Sequence, residues 1–203
     1  MKAKVAFDLD NVVVDILESA RRTAAAMAGV EHDVILDTWT YATPFSHEDP
    51  VVAALIVTDH VFWQKHEILL QATVMEGAVE AIRRLHDAEM LAGYITRRAP
   101  NARDLTLEWL RVNGLPDVAL HHVGHEDEAL NHAMCKADIC LEIGATHLVD
   151  DSQHEVQRAL DKGIIPILVD HPLGRAARME WLSQRPHVML ARDAVHAVEM
   201  LLD

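Results

Sequence analysis

The chain has 203 residues, half of them hydrophobic, with 32 acidic against 18 basic side chains and a net charge of −14. That length and apolar content give one domain, or one domain with a small insert, and enough material for a sizeable core. The acidic balance argues against a nucleic-acid polymer or an anionic membrane surface as partner, because both demand basic patches.

No apolar run reaches the ~18 residues that a membrane-spanning helix needs, and the N-terminus enters a strand pattern with no signal-peptide features. A cytoplasmic protein is expected. Cys135 and Cys140 are the only cysteines. Their spacing fits neither a zinc knuckle nor a Cys-x-x-Cys redox pair, and both are expected to be reduced and buried. His121, His122 and His125 stand near Glu126, Asp127 and Glu128. They read as solvated histidines at a strand end and loop, since a metal site needs fixed geometry and supporting partners that this spacing does not signal.

In chain order, Val5–Leu9 is the first strand, and it delivers Asp8 and Asp10 at its carboxyl end. Alternation along a strand puts these two side chains on one side. Asp15 follows at the start of a helix, where it complements the dipole. Residues 16–76 then show roughly four helices and no clear strand, judged by periodicity alone. Leu17–Ala28, His47–Val57 and Asp59–Leu70 are helical, and Tyr41–Phe45 is a loop. From Leu91 onward the pattern alternates. Leu91–Ile95, Val118–Val123, His147–Val149 and Ile164–Val169 read as buried strands, and Val188–Leu190 offers a sixth. Helices are expected over Ala102–Val112, ending at the Asn113-Gly114 cap signal, over Gln153–Asp161, ending at Lys162-Gly163, and over about Arg192–Leu202. This is an α/β pattern, a doubly wound parallel sheet with crossover helices. Residues 1–15 and 77–203 form its core, and residues 16–76 form a small helical insert after the first strand, lying over the carboxyl edge of the sheet as a lid.

A second acidic pair, Asp150-Asp151, ends the strand that begins at His147, and a helix follows from about Ser152. In a parallel sheet the two acidic strand ends meet side by side at the carboxyl edge, where open α/β sheets build their sites. Crowded carboxylates repel, and leaving them ionised calls for a cation. An all-oxygen donor set suits a hard divalent ion, Mg²⁺ in particular. Thr96 closes the strand between them with a hydroxyl, and Lys136 lies on a helix just before the second acidic strand.

The order Asp-x-Asp, strand-Thr, Lys, strand-Asp-Asp resembles the four-motif signature of the haloacid dehalogenase-like hydrolases over nearly the full chain. The resemblance implies a Rossmann-like core with a helical cap, and phosphoryl transfer through a carboxylate nucleophile. Asp8 is then the nucleophile and Asp10 the general acid and base. Thr96 and Lys136 hold the phosphate. Mg²⁺ is bound by Asp8, by the backbone carbonyl of Asp10, and by Asp150 or Asp151. Asn11 and Arg97 are candidate substrate-binding residues beside these motifs. Of Arg97 and Arg98, one is expected to reach the phosphate or the rest of the substrate and the other to be solvated.

Phe62-Trp63-Gln64-Lys65 followed by Met75–Ile82 also resembles the cap exit and next helix of the 5′(3′)-deoxyribonucleotidases. That implies a nucleoside monophosphate substrate, with Phe62 and Trp63, or Trp39 and Phe45, available to stack on a base. Val12-Val13 stand where many phosphatases of the superfamily have Thr or Ser, though nucleotidase-like members tolerate an apolar residue there, and Arg97 departs from the deoxyribonucleotidase pattern, which has a small hydroxyl residue. A sugar-phosphate phosphatase, a phosphoglucomutase-like phosphotransferase and a catalytically silent interaction module are the alternatives. The expected partner is a small phosphate ester, with the protein a monomer or homodimer.

Overall fold

The computed structural model describes residues 2–31, 69–98, 100–123, 134–171 and 175–203. In chain order the elements are β1 (Val5–Phe7), β2 (Val14–Asp15), α1 (Ile16–Ala28), β3 (Thr73–Val74), α2 (Ala78–Asp87), β4 (Leu91–Thr96), a short 3₁₀ turn (Pro100–Ala102), α3 (Arg103–Val112), β5 (Leu120–His122), α4 (Lys136–Glu142), β6 (His147–Asp150), α5 (Gln153–Asp161), β7 (Ile165–Val169), α6 (Arg175–Ser183), β8 (Met189–Ala191) and α7 (Ala194–Leu202).

Six strands form one sheet in the order β5-β4-β1-β6-β7-β8, and every pairing in it is parallel. A parallel sheet needs crossover helices on its faces, so its strands are buried on both sides and read as continuous apolar runs. The packing follows that rule. Val5, Phe7, Tyr94, Val149 and Ile167 point to one face, against Ile82 and Leu85 of α2, Trp109 of α3 and Val198 of α7. Their neighbours Ala6, Ile95 and Leu148 point to the other, against Ala137, Ile139 and Cys140 of α4 and Ala159 of α5. Both cysteines are buried and neither is bonded to another. The expected glycine stop of α3 is in place: Gly114 takes φ +72° directly after the last turn, a conformation that costs glycine little.

The chain leaves β1 for β4 and β5 on one side, then crosses back to β6, β7 and β8 on the other. β1 is therefore the strand at which the order reverses, and its carboxyl end opens the crevice where such sheets bind ligands. Helix boundaries agree with the sequence reading to within two residues, and α5 starts and stops as expected.

Three elements were not expected, the helix α6 over Arg175–Ser183 and two short strands. β2 and β3 form a separate antiparallel ribbon, Val14 opposite Val74 and Asp15 opposite Thr73, so a strand lies at the exit of the span expected to be purely helical. A two-residue strand is too short to show any period, which is why the pattern missed it. The helices expected at His47–Val57 and over most of Asp59–Leu70, with Trp39, Phe45, Phe62 and Trp63, lie outside the described residues. So do His125 and the acids beside it. Among the described residues, no helix is long and apolar enough to cross a membrane.

Candidate active site

The strand register sets the site. Phe7 pairs with Tyr94 on one side and Val149 on the other, and the Asp8 amide donates to the Val149 carbonyl at 2.9 Å. One residue further along, Asp8 and Asp150 stand level at the carboxyl edge. Carboxylate oxygens of Asp8, Asp150 and Asp151 all lie within 4.8 Å of one another. Asp10 is not part of that group. The chain turns tightly from Leu9 to Val14, with Asn11 in the left-handed region at φ 60° and the Val13 and Val14 amides both donating to the Leu9 carbonyl at 2.8 Å. Asparagine tolerates that backbone better than most residues. Val12 and Val13 are buried, so the apolar residues that depart from the family pattern serve the core.

Lys136, the first residue of α4, is only 2% exposed and reaches into this cluster. Its Nζ lies 2.7 Å from Asp8 Oδ2 and 2.8 Å from Asp150 Oδ2. Backbone donors take the other oxygens: Leu9 N donates to Asp8 Oδ1 and Ser152 N donates to Asp150 Oδ1, each at 2.8 Å. Asn11 Nδ2 donates to Asp151 Oδ2 at 3.2 Å. Thr96, fully buried at the end of β4, accepts from Arg98 N at 3.1 Å.

The electrostatics follow from three carboxylates facing one ammonium. Burial raises Asp8 well above the usual carboxylate range, Lys136 opposes this, and Asp150, Asp151 and Asp10 add to the rise. Asp150 is raised by burial, again against Lys136. Asp151 is pushed up to about 7 by burial and by Asp150 beside it. Burial works to lower the Lys136 ammonium, yet Asp150 and Asp8 together outweigh it and hold its proton firmly. An oxygen-only cluster with surplus negative charge is chemistry that fits a hard divalent cation such as Mg²⁺.

The two arginines after Thr96 behave differently from the expectation that one would be solvated. Arg97 pairs with Glu155, with Nε 3.0 Å from Oε1. Arg98 is buried at 1% exposure and forks onto the Asp10 carboxylate, with Nη2 2.6 Å from Oδ1. The buried Arg98 guanidinium has to be matched by a carboxylate, whereas Arg97 keeps 26% of its side chain exposed while pairing with the buried Glu155. Glu155 borders the candidate site and is a residue that the sequence reading missed. Its place three residues after Ser152 has the look of a capping box. Ser152 does cap α5, accepting from Glu155 N. The Glu155 side chain instead receives Arg97 and the Lys136 amide, the latter at 3.1 Å. Asp15, expected near the first turn of a helix, is the N-cap of α1 and accepts from Glu18 N at 2.9 Å. Phe62 and Trp63 lie outside the described residues.

No protein-family model matches the chain, and no curated protein does. Solved structures do. A haloacid dehalogenase-superfamily hydrolase of subfamily IA, variant 1, from Geobacter sulfurreducens is 16% identical with a TM-score of 0.59, covering 98% of this chain and 96% of its own. A hydrolase of the same superfamily from Deinococcus radiodurans, solved with bound phosphate and sodium, is 22% identical with a TM-score of 0.58 over 95% of this chain and 92% of its own. The D,D-heptose 1,7-bisphosphate phosphatase of B. bronchiseptica, complexed with magnesium and phosphate, is 17% identical with a TM-score of 0.56 over 100% of this chain and 98% of its own. Identities this low carry the architecture alone: the chain has the α/β fold of the haloacid dehalogenase-like hydrolases.

Proposed function

We propose that the protein is a phosphoric monoester hydrolase that works through an aspartyl-phosphate on Asp8 and requires Mg²⁺, with nucleoside monophosphates as its substrates. The observation that carries this reading is the meeting of Asp8 and Asp150 on the buried Lys136 ammonium, at 2.7 and 2.8 Å, with Asp151 beside them. The four-motif resemblance supports it, as do neighbours of the same fold solved with phosphate. The nucleoside preference rests on the cap resemblance alone.

In this mechanism an Asp8 carboxylate oxygen attacks phosphorus, and the bond from phosphorus to the leaving oxygen breaks. Asp10 gives a proton to that oxygen. Asp10 then takes a proton from water, whose oxygen attacks phosphorus and releases inorganic phosphate from Asp8. Thr96 and Lys136 hold the phosphoryl oxygens through both steps. Asn11, buried beside Asp151, and Arg97, partly exposed and braced on Glu155, would contact the rest of the substrate. Mg²⁺, held by Asp8, Asp150, Asp151 and the Asp10 carbonyl, would offset charge so that an anionic nucleophile meets an anionic ester.

The test is phosphate release from nucleoside monophosphates, sugar phosphates and p-nitrophenyl phosphate, with Mg²⁺, with EDTA, and with Asp8→Asn. Release from nucleotides that needs both Mg²⁺ and Asp8 is expected. Release from sugar phosphates or the aryl ester alone keeps the reaction and discards the nucleotide. A folded protein that releases phosphate from none of them contradicts the proposal.

A further inference from the structure

We propose that Arg98 is a positioning residue for the proton transfers of Asp10, acting through a strap that runs from Thr106 through Arg98 to the Asp10 carboxylate; this rests on the phosphatase reading above. The strap is built from both ends. Arg98 Nε lies 3.2 Å from Asp10 Oδ1 and 3.1 Å from Oδ2, and Nη2 lies 2.6 Å from Oδ1. On the other side Arg98 Nη1 donates to Thr106 Oγ1 at 3.2 Å. Thr106 is itself fixed, its hydroxyl donating to the Ala102 carbonyl at 2.8 Å in the first turn of α3. The Arg98 backbone is held as well, its amide on Thr96 Oγ1 and its carbonyl 3.0 Å from His122 Nδ1.

This arrangement does more than bury a charge. The Arg98 side chain is fully buried, while the Asp10 side chain keeps 19% of its surface open. The guanidinium therefore grips the carboxylate from below and leaves its outer edge free. Oδ1 receives two donors from Arg98 and Oδ2 only one. Oδ2 keeps the larger share of its lone-pair capacity, so the geometry assigns it as the oxygen that passes the proton. A planar fork on a planar carboxylate fixes rotation as well as position, and proton transfer depends on that orientation.

The signature of such a role is selectivity by leaving group. An alkoxide leaves poorly and needs the proton, whereas p-nitrophenolate leaves without it. The value of kcat/KM reports the step in which the leaving group departs, so it is the quantity to compare. For the best alkyl phosphate of the panel, Arg98→Met is expected to lower kcat/KM by ~30-fold or more, against less than ~3-fold for p-nitrophenyl phosphate. Arg98→Lys and Thr106→Val keep the charge and nearly the volume, and they stand in if Arg98→Met does not fold. Both are expected to show the same selectivity to a smaller degree. In an Asp10→Asn background, Arg98→Lys is expected to add nothing, as for two residues acting as one unit.

Equal losses on both esters, or none, overturn the strap and leave the phosphatase reading standing. Wild-type protein that shows no Asp8-dependent release from either ester overturns the phosphatase reading and this role with it.

Discussion

At the residue scale the controlling fact is the crowding of Asp8, Asp150 and Asp151 around one lysine. Removing Lys136 strands two buried carboxylates, and breaking a buried ion pair from one side costs about 3–5 kcal/mol. Lys136→Met is expected to lose stability of that order in urea unfolding without metal. Asp8→Asn should behave in the opposite way. Burial already disfavours the Asp8 anion, and Lys136 keeps Asp150 as its partner. The variant is expected to melt higher than wild type without metal while losing at least ~10³-fold in turnover, the usual conflict between stability and a charged site. A lower melting temperature would mean that the Asp8–Lys136 pair stabilises more than the repulsion among the acids costs.

The residues proposed to carry this chemistry were legible because strand ends, order and spacing reveal them. Asp8, Asp150 and Asp151 follow apolar runs, and a parallel register brings such ends together without further information. Arg98 and Glu155 were not legible. An arginine after a strand looks solvated, and a glutamate three residues into a helix looks like a cap, until tertiary contacts supply a buried partner for each.

At the element scale, α4 and α5 present their N-termini to the site and are tied to each other by ion pairs and hydrogen bonds. Glu155 of α5 receives the amide of Lys136, which opens α4. On the outer side Lys162, just past α5, pairs with Asp138 of α4. Hydrogen bonds from Lys162 and from Cys135 hold Asp138 down to about 2, below its ordinary 3.8. The sign is that of a depressed carboxylate: its stabilisation is fully present above the unfolded value and is lost as pH falls through the folded one. The stability difference between wild type and Asp138→Asn is therefore expected to stay constant from neutral pH down to about 5. It should shrink as pH falls from 3.8 towards about 2. Denaturation at a series of pH values checks this, and a difference that persists at pH ~2 would contradict the assigned cause.

Elements also mark where sequence patterns stop working. Five- and six-residue runs such as Ile165–Val169 and Leu91–Thr96 declare themselves. The ribbon of Val14–Asp15 with Thr73–Val74 does not, because its four residues are assigned by pairing alone.

At the scale of the whole molecule, the strand order reverses at β1, and the two halves of the sheet meet at Asp8. A cation bound there joins β1 to β6, so it should stabilise the fold as a whole. By mass action a ligand at a hundred times its dissociation constant adds about 2.7 kcal/mol. Mg²⁺ is expected to raise the melting temperature of wild type, and the rise should be smaller in Asp151→Asn. An equal rise in both would place the ion elsewhere. The same topology explains why the fold was readable from one chain, since alternating buried runs and helices leave few arrangements open. The choice of leaving group was not readable in this way: the side chains proposed to make it, Phe62 and Trp63, lie outside the described residues.

In the proposed mechanism Asp8 carries the phosphoryl group. The most direct measurement is acid-quench mass spectrometry of the protein mixed with substrate and Mg²⁺, with borohydride trapping to locate the acyl-phosphate. A phosphoryl adduct is expected on the peptide that holds Asp8, reduced there by borohydride and lost in Asp8→Asn. Phosphate release with no adduct during turnover, or an adduct that survives in Asp8→Asn, would contradict it.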